Sequence, residues 1–208
     1  MLHDTEWDSD DDELTARARE AAARGVPFRA GNVGVPTSIL SRMVKQNELR
    51  RLGRGVYIAS DVELHPLAEA AAVCLRVPRA VVCLRSALEY HDLTTAWADG
   101  IWVMVPRDRN PPKDAEARLH VIRVQPKYLQ PDLGIVTLDV HGVPMRLTNP
   151  LRTVIDCWRY PRRIPHSTAH ESLRELHRSP HWNGREFYNL AKALEVWKRL
   201  RPYVEGLQ

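Results

Sequence analysis

Cysteine is scarce in this chain: Cys74, Cys83 and Cys157 are the three among 208 residues, they lie far apart, and no CxxC pair occurs. An odd, scattered set beside apolar residues such as Val73, Val82 and Ile155 argues against a disulfide scaffold or a thiolate zinc cluster and points to reduced core thiols. Also missing is any apolar run near the roughly 18 residues that a membrane-crossing helix needs. The amino end is acidic where a secretory leader starts basic and turns apolar, so the expected location is cytoplasmic, without a membrane partner. A glycine-rich phosphate loop, a GxSxG elbow and an HExxH helix are absent too, which removes the common nucleotide-hydrolase, serine-hydrolase and zinc-protease signatures.

What is present has a globular composition, 44% hydrophobic and 27% charged, and the length has room for one domain or two. Two is the preferred reading. The formal charge of +4 hides an uneven distribution. Seven acids (Asp4, Glu6, Asp8, Asp10, Asp11, Asp12, Glu13) and no Lys or Arg occupy the first 13 residues, leaving 30 basic against 19 acidic residues in the remainder. Residues 1–13 carry too little apolar surface to offset their ordering entropy, and are expected to form a solvated, disordered acidic tail. The functional alternative is that the tail competes with nucleic acid for the basic body.

From Leu14 to Ala23 the Ala, Arg and Glu content predicts a helix, stopped by Gly25, Val26 and Pro27. Phe28-Arg29-Ala30 leaves room for one short helical turn before Gly31 and Gly34. Residues 36–46 form the next helix, with Pro36 in its first turn and Ile39, Leu40, Met43 and Val44 on one face; it ends near Asn47. Two β-prone runs then flank Gly53-Arg54-Gly55, predicting a hairpin with an arginine at its tip. Beyond Asp61 the chain reads as a helix over 65–77, strands over 80–84, 101–105 and 119–124, a short helix over 86–91, and a hairpin of 134–140 with 143–147. Residues 107–113 form a proline-rich loop. Two or three helices close the chain, the first capped by Thr148 or Asn149 ahead of Pro150, the last running from about Leu190 to Leu200. The expected fold class is therefore α+β: a winged helix-turn-helix over 14–60, then a mixed α+β domain over 61–208 ending in helices.

In a helix-turn-helix the second helix of the pair enters the major groove. The apolar face of helix 36–46 can dock inward, leaving Thr37, Ser38, Ser41, Arg42 and Lys45 for bases and phosphates, while the hairpin offers Arg50, Arg51 and Arg54 to the backbone. Between Leu14 and Ile58 nine basic residues face two acidic ones. This is the electrostatic footprint expected of a duplex-binding domain, although such charges also occur as a plain solvated face.

Residues 34–37 (Gly-Val-Pro-Thr) and 49–57 (Leu-Arg-Arg-Leu-Gly-Arg-Gly-Val-Tyr) resemble the N-terminal winged helix of the AbiEi antitoxins. Residues 84–93, with Ser86-Ala87-Leu88 and Leu93, and residues 147–156, with Thr148, Arg152, Thr153 and Asp156, are similar to two further segments of that family, and 191–200 to its closing helices. The chain departs from the pattern in Asn47-Glu48 before the wing, in the short stretch 26–33, and in the acidic tail. The resemblance implies a bacterial toxin-antitoxin role, with the winged helix binding inverted repeats in the double-stranded promoter DNA of its own operon. It implies as well a C-terminal domain that counteracts a nucleotidyltransferase-like toxin, in much of the family without a stable complex, and no cofactor.

Three features of the second domain carry alternatives. Asp108, Asp114 and Glu116 are clustered acids of the kind a metal-dependent nuclease uses, without a following Glu-x-Lys. His166 with His170, and His177 with His181, have the spacing of a helical metal pair, but no further ligand completes a set, so no metal site is assigned. Arg152 and Asp156, four apart on a helix burying Val154, Ile155 and Trp158, form either a local brace or, with Ser86 and Thr153, a surface patch for antitoxin activity. The readings carried forward are a non-enzymatic DNA-binding antitoxin and autorepressor, an antitoxin that sequesters its toxin directly, and the nuclease.

Overall fold

The structure, a computed structural model, describes residues 5–108 and 118–207, with side chains from residue 10. Mixed α+β architecture divides into two compact units, Met1–Leu75 with Asp139–Val143, and Arg76–Leu138 with Pro144–Gln208.

The first unit opens with α1, Thr5–Ala22, followed by β1 (Phe28–Arg29), α2 (Ala30–Val33), α3 (Thr37–Lys45), β2 (Leu49–Gly53), β3 (Val56–Ala59) and α4 (Ala68–Arg76). Helix α1 starts far upstream of Leu14, so from Thr5 on the acidic run is helical where a disordered tail was expected. In the sequence the acidic residues precede the basic ones along α1, with Arg19 in its last turn, an order that suits the helix dipole. Phe28-Arg29 is a strand rather than a helical turn: it pairs with Tyr57 and Val56 of β3, a partner nearly thirty residues away that local pattern does not reveal. Helix α2 follows one residue later and ends on Gly34, whose φ of +65° closes the turn into Val35-Pro36.

The sheet order is β1-β3-β2. Its two faces bury different clusters. Tyr57 and Leu49 join Ala18, Phe28, Ile39, Leu40 and Met43 of the helical side, whereas Leu52, Val56 and Ile58 pack on Ala68 and Ala72 of α4. The division between units therefore falls after Leu75, not at residue 60: the Ala-rich segment read as the start of a second domain closes the open face of the first.

The second unit holds a five-stranded sheet, order β6-β5-β4-β8-β7, from β4 (Val81–Val82), β5 (Ile101–Pro106), β6 (Leu119–Val124), β7 (Ile135–Val140) and β8 (Val143–Thr148). β4 runs antiparallel to β5 and parallel to β8, and β5 parallel to β6. Helices α5 (Leu84–Tyr90), α6 (Pro150–Arg159), α7 (His166–Arg178), α8 (Gly184–Ala193) and α9 (Trp197–Glu205) build the rest. Every residue of α6 from Leu151 to Trp158 is buried, because α5, α7, α8 and α9 all pack on it. The segment 190–200 is not one helix. It breaks at Glu195, held at φ +62°, where Glu195 N–H and Val196 N–H donate back to the carbonyls of Lys192 and Ala191.

Candidate nucleic-acid interface

Helix α3 is built for two environments. Ile39, Leu40 and Met43 are buried in the core shared with α1, and at about 100° per residue the opposite side falls to Thr37, Ser38, Ser41 and Lys45, all exposed. Pro36 takes the position before the first turn, where its missing N–H costs nothing. After Lys45 the helix closes on Asn47 at φ +59°, with Asn47 N–H and Glu48 N–H donating to the carbonyls of Val44 and Met43. Asparagine tolerates that conformation, and this closure turns the chain into β2.

Arg42 does not share the outward face. It sits at the flank toward α1, where Nη1 donates to Asp11 Oδ2 at 3.0 Å and Nη2 to Thr15 Oγ1 at 3.1 Å. Thr15 Oγ1 in turn donates to the Asp11 carbonyl at 2.7 Å. One turn further along α1, Arg19 grips Glu48 with two bonds of 2.8 and 3.2 Å, and this pairing, with Arg42 adding to it, draws the Glu48 carboxyl below its ordinary range. Four of the nine basic residues of the sequence footprint are thus met by carboxylates of the same unit, since Arg17 and Arg24 also pair with Glu13 and Glu20 four residues before them.

The wing arginines diverge. Directly opposite residues of an antiparallel pair share a face; Arg50 stands opposite Ile58, on the α4 side of the sheet, and Arg51 opposite Tyr57, on the helical side. Arg50 Nη2 donates to the Ser60 carbonyl at 3.1 Å, while the Arg51 guanidinium lies 6.0 Å from the Tyr57 ring centroid. Arg54 is exposed at the turn beside Gly55, whose φ of +67° a side chain would strain. Of the eight residues read as DNA-contacting, the structure brings Thr37, Ser38, Ser41 and Lys45 onto one surface, sets Arg42 at its edge, and splits Arg50 from Arg51. Sequence reasoning missed Asp11, Thr15 and Glu48; the acidic run was visible, but its helical register against α3 was not.

In the second unit Ser86, Arg152, Thr153 and Asp156 are all buried, the last three completely. They therefore brace the fold and offer no surface patch. Arg152 Nε donates to Asp156 Oδ2 at 2.7 Å, Nη1 to the Leu133 carbonyl at 2.6 Å and Nη2 to that of Tyr128 at 3.2 Å, pinning the irregular segment before β7 onto α6. Asn149 caps α6, as expected, its side chain accepting from Arg152 N–H at 2.8 Å. Burial pushes the Asp156 carboxyl above its ordinary range against the pull of Arg152 and Arg159. Ser86 Oγ accepts from Trp102 N–H at 3.0 Å and so ties α5 to β5.

Cys74, Cys83 and Cys157 are buried thiols, and burial raises those of Cys83 and Cys157. His166 and His170 do share a face, ring centroids 4.3 Å apart, but both rings turn edges to Trp158 and Tyr203 as aromatic packing. Among the described residues no group of three or more His, Cys, Asp or Glu could hold a metal ion, and no helix is long and apolar enough to cross a membrane. Asp108 is exposed just beyond β5; Asp114, Glu116 and most of the proline-rich loop lie outside the described residues.

Helices α1 to α3 with their hairpin define the class. Residues 14–59 match the family described as transcriptional regulator, AbiEi antitoxin, so the resemblance seen in the wing is borne out over that stretch. The chain is also similar to a solved structure, that of the RV2827C protein from Mycobacterium tuberculosis, with a TM-score of 0.63 at 14% identity, covering 94% of this chain and 77% of that one. At such identity the likeness is one of fold. No curated protein matches the sequence significantly.

Proposed function

We propose that the first unit is a winged helix-turn-helix that binds promoter DNA, and that the chain is a cytoplasmic antitoxin and autorepressor counteracting a nucleotidyltransferase-like toxin. The observation that carries the reading is α3: a nine-residue helix whose inner face is buried and whose outer face offers three hydroxyl side chains and Lys45 to solvent, beside a basic hairpin. Hydroxyls and a lysine can bond base edges and phosphates in a groove about 12 Å wide, which admits a helix. The likeness of residues 14–59 to AbiEi regulators supports both halves of the role. Because Arg50 and Arg51 leave opposite sides of the wing, a single backbone engages one of them together with Arg54.

A gel shift on the DNA upstream of the chain's own reading frame tests it. Lys45→Ala and Ser41→Ala weaken retention, and Arg54→Ala lowers the slope of log affinity against log salt by about one. Retention of that DNA unchanged by all three substitutions refutes the interface. For the antitoxin half, co-expression with a nucleotidyltransferase-like toxin rescues growth; rescue lost on changing unit-one contacts alone refutes a separate antitoxin domain.

A further inference from the structure

We propose that the acidic start of α1 is an intramolecular competitor for DNA, with the Asp11 carboxylate occupying Arg42 in the place a phosphate takes when the duplex binds. The proposal rests on the DNA-binding reading of α3 and adds its regulation. Its basis is geometric: Arg42 belongs to the helix read as entering the groove, yet both ends of its guanidinium are engaged from α1, by Asp11 Oδ2 at 3.0 Å and Thr15 Oγ1 at 3.1 Å. The Arg42 and Asp11 side chains are about half exposed, 47% and 48%, so solvent and an incoming phosphate can reach the pair. An exposed ion pair is weak enough to exchange; its typical worth of about 0.2–1 kcal/mol converts to roughly a 1.4- to 5-fold effect on affinity.

The device is local. Asp12 and Glu13 stand on the same helix, but Glu13 pairs with Arg17 four residues on, and the cation near Asp12 is Arg19, already held by Glu48. Only Asp11 among these is bonded to α3. Because the acids sit at the amino end of a continuous helix, the competitor is carried on a rigid arm rather than a loose chain, and its effective concentration at Arg42 is fixed by the packing of α1 on α3. Breaking the contact is required of operator and unrelated duplex alike, since what is released is a charge and not a base-reading group. The carboxylate thereby sets a threshold that phosphate contacts must exceed.

Fluorescence anisotropy on the full-length chain with upstream DNA, at about 0.1 M salt, tests this. Asp11→Asn tightens binding about 2- to 5-fold, and beyond the effect of Asp12→Asn, which removes the same charge without touching Arg42. In an Arg42→Ala background the two substitutions become equal. Equal effects of Asp11→Asn and Asp12→Asn in the otherwise native chain, or an Asp11→Asn advantage that persists without Arg42, overturn the competitor while leaving DNA binding intact. Failure of every variant to bind any duplex overturns the DNA reading and the competitor with it.

Discussion

Replacing Arg152 by Met keeps most of the side-chain volume and removes the charge at the centre of the second unit. Three bonds go with it, those to Asp156, Leu133 and Tyr128, and a fully buried carboxylate loses its nearest cation. Arg159 compensates only in part, because its Nη1 stands 3.7 Å from Asp156 Oδ1, an ion pair without a hydrogen bond. Breaking one side of a buried ion pair costs about 3–5 kcal/mol, a large part of the stability of a typical domain. At roughly 4 °C per kcal/mol for a unit of this size, tryptophan fluorescence should show unfolding some 12–20 °C earlier. The double variant Arg152→Met with Asp156→Leu removes the stranded charge and recovers at least half of the loss, since hydrophobic replacement of a buried pair is often neutral. A drop under about 1 kcal/mol in the single variant, or no recovery in the double, refutes the brace. DNA retention by the first unit separates this stability effect from a lost binding residue.

Other outcomes follow from the backbone and the histidines. Glu195→Gly should raise the unfolding free energy by about 0.5 kcal/mol and shift the urea midpoint upward, because glycine takes the left-handed turn after α8 without strain and the lost contacts to Lys127 and Tyr128 are exposed. An unchanged or lower midpoint counts against strain there. Gly134→Ala should cost about 1–3 kcal/mol, since φ is +72° and the new methyl would stand 2.8 Å from Arg152 Cβ and 2.9 Å from Asn149 Oδ1. His91 is held below the usual histidine range by burial, its Nε2 2.8 Å from the Thr148 carbonyl, and His170 is lowered by burial and by His166. The folded state therefore binds fewer protons, and stability present above pH 6.5 is lost as pH falls below it. Urea midpoints between pH 7.5 and 5.5 should show that loss, reduced in His91→Gln; a flat native profile contradicts it.

Local signals were sufficient wherever the determinant lay within a few residues. The 3.6-residue rhythm of Ile39, Leu40 and Met43 marked α3, and Asn149-Pro150 marked the start of α6. Elements set by distant partners were not legible. β1 exists because Tyr57 and Val56 accept it, and the break at Glu195 depends on a left-handed residue that sequence seldom entrusts to glutamate. For the site, residue types were readable but their directions were not: a strand sends Arg50 and Arg51 apart, and Arg42 answers to an aspartate 31 positions upstream. The basic count of the first unit therefore overstated the charge free to meet DNA.

Because Leu52, Val56 and Ile58 lean on Ala68 and Ala72, the smallest autonomous piece of this chain does not stop where the hairpin stops. Truncation at residue 60 would bare an apolar sheet face and invite self-association, whereas a fragment carried through Arg76, the end of α4, keeps that face covered. Anyone isolating the amino-terminal half for titration or spectroscopy should cut after α4, and an evolutionary shuffling event that preserves the module should respect the same seam.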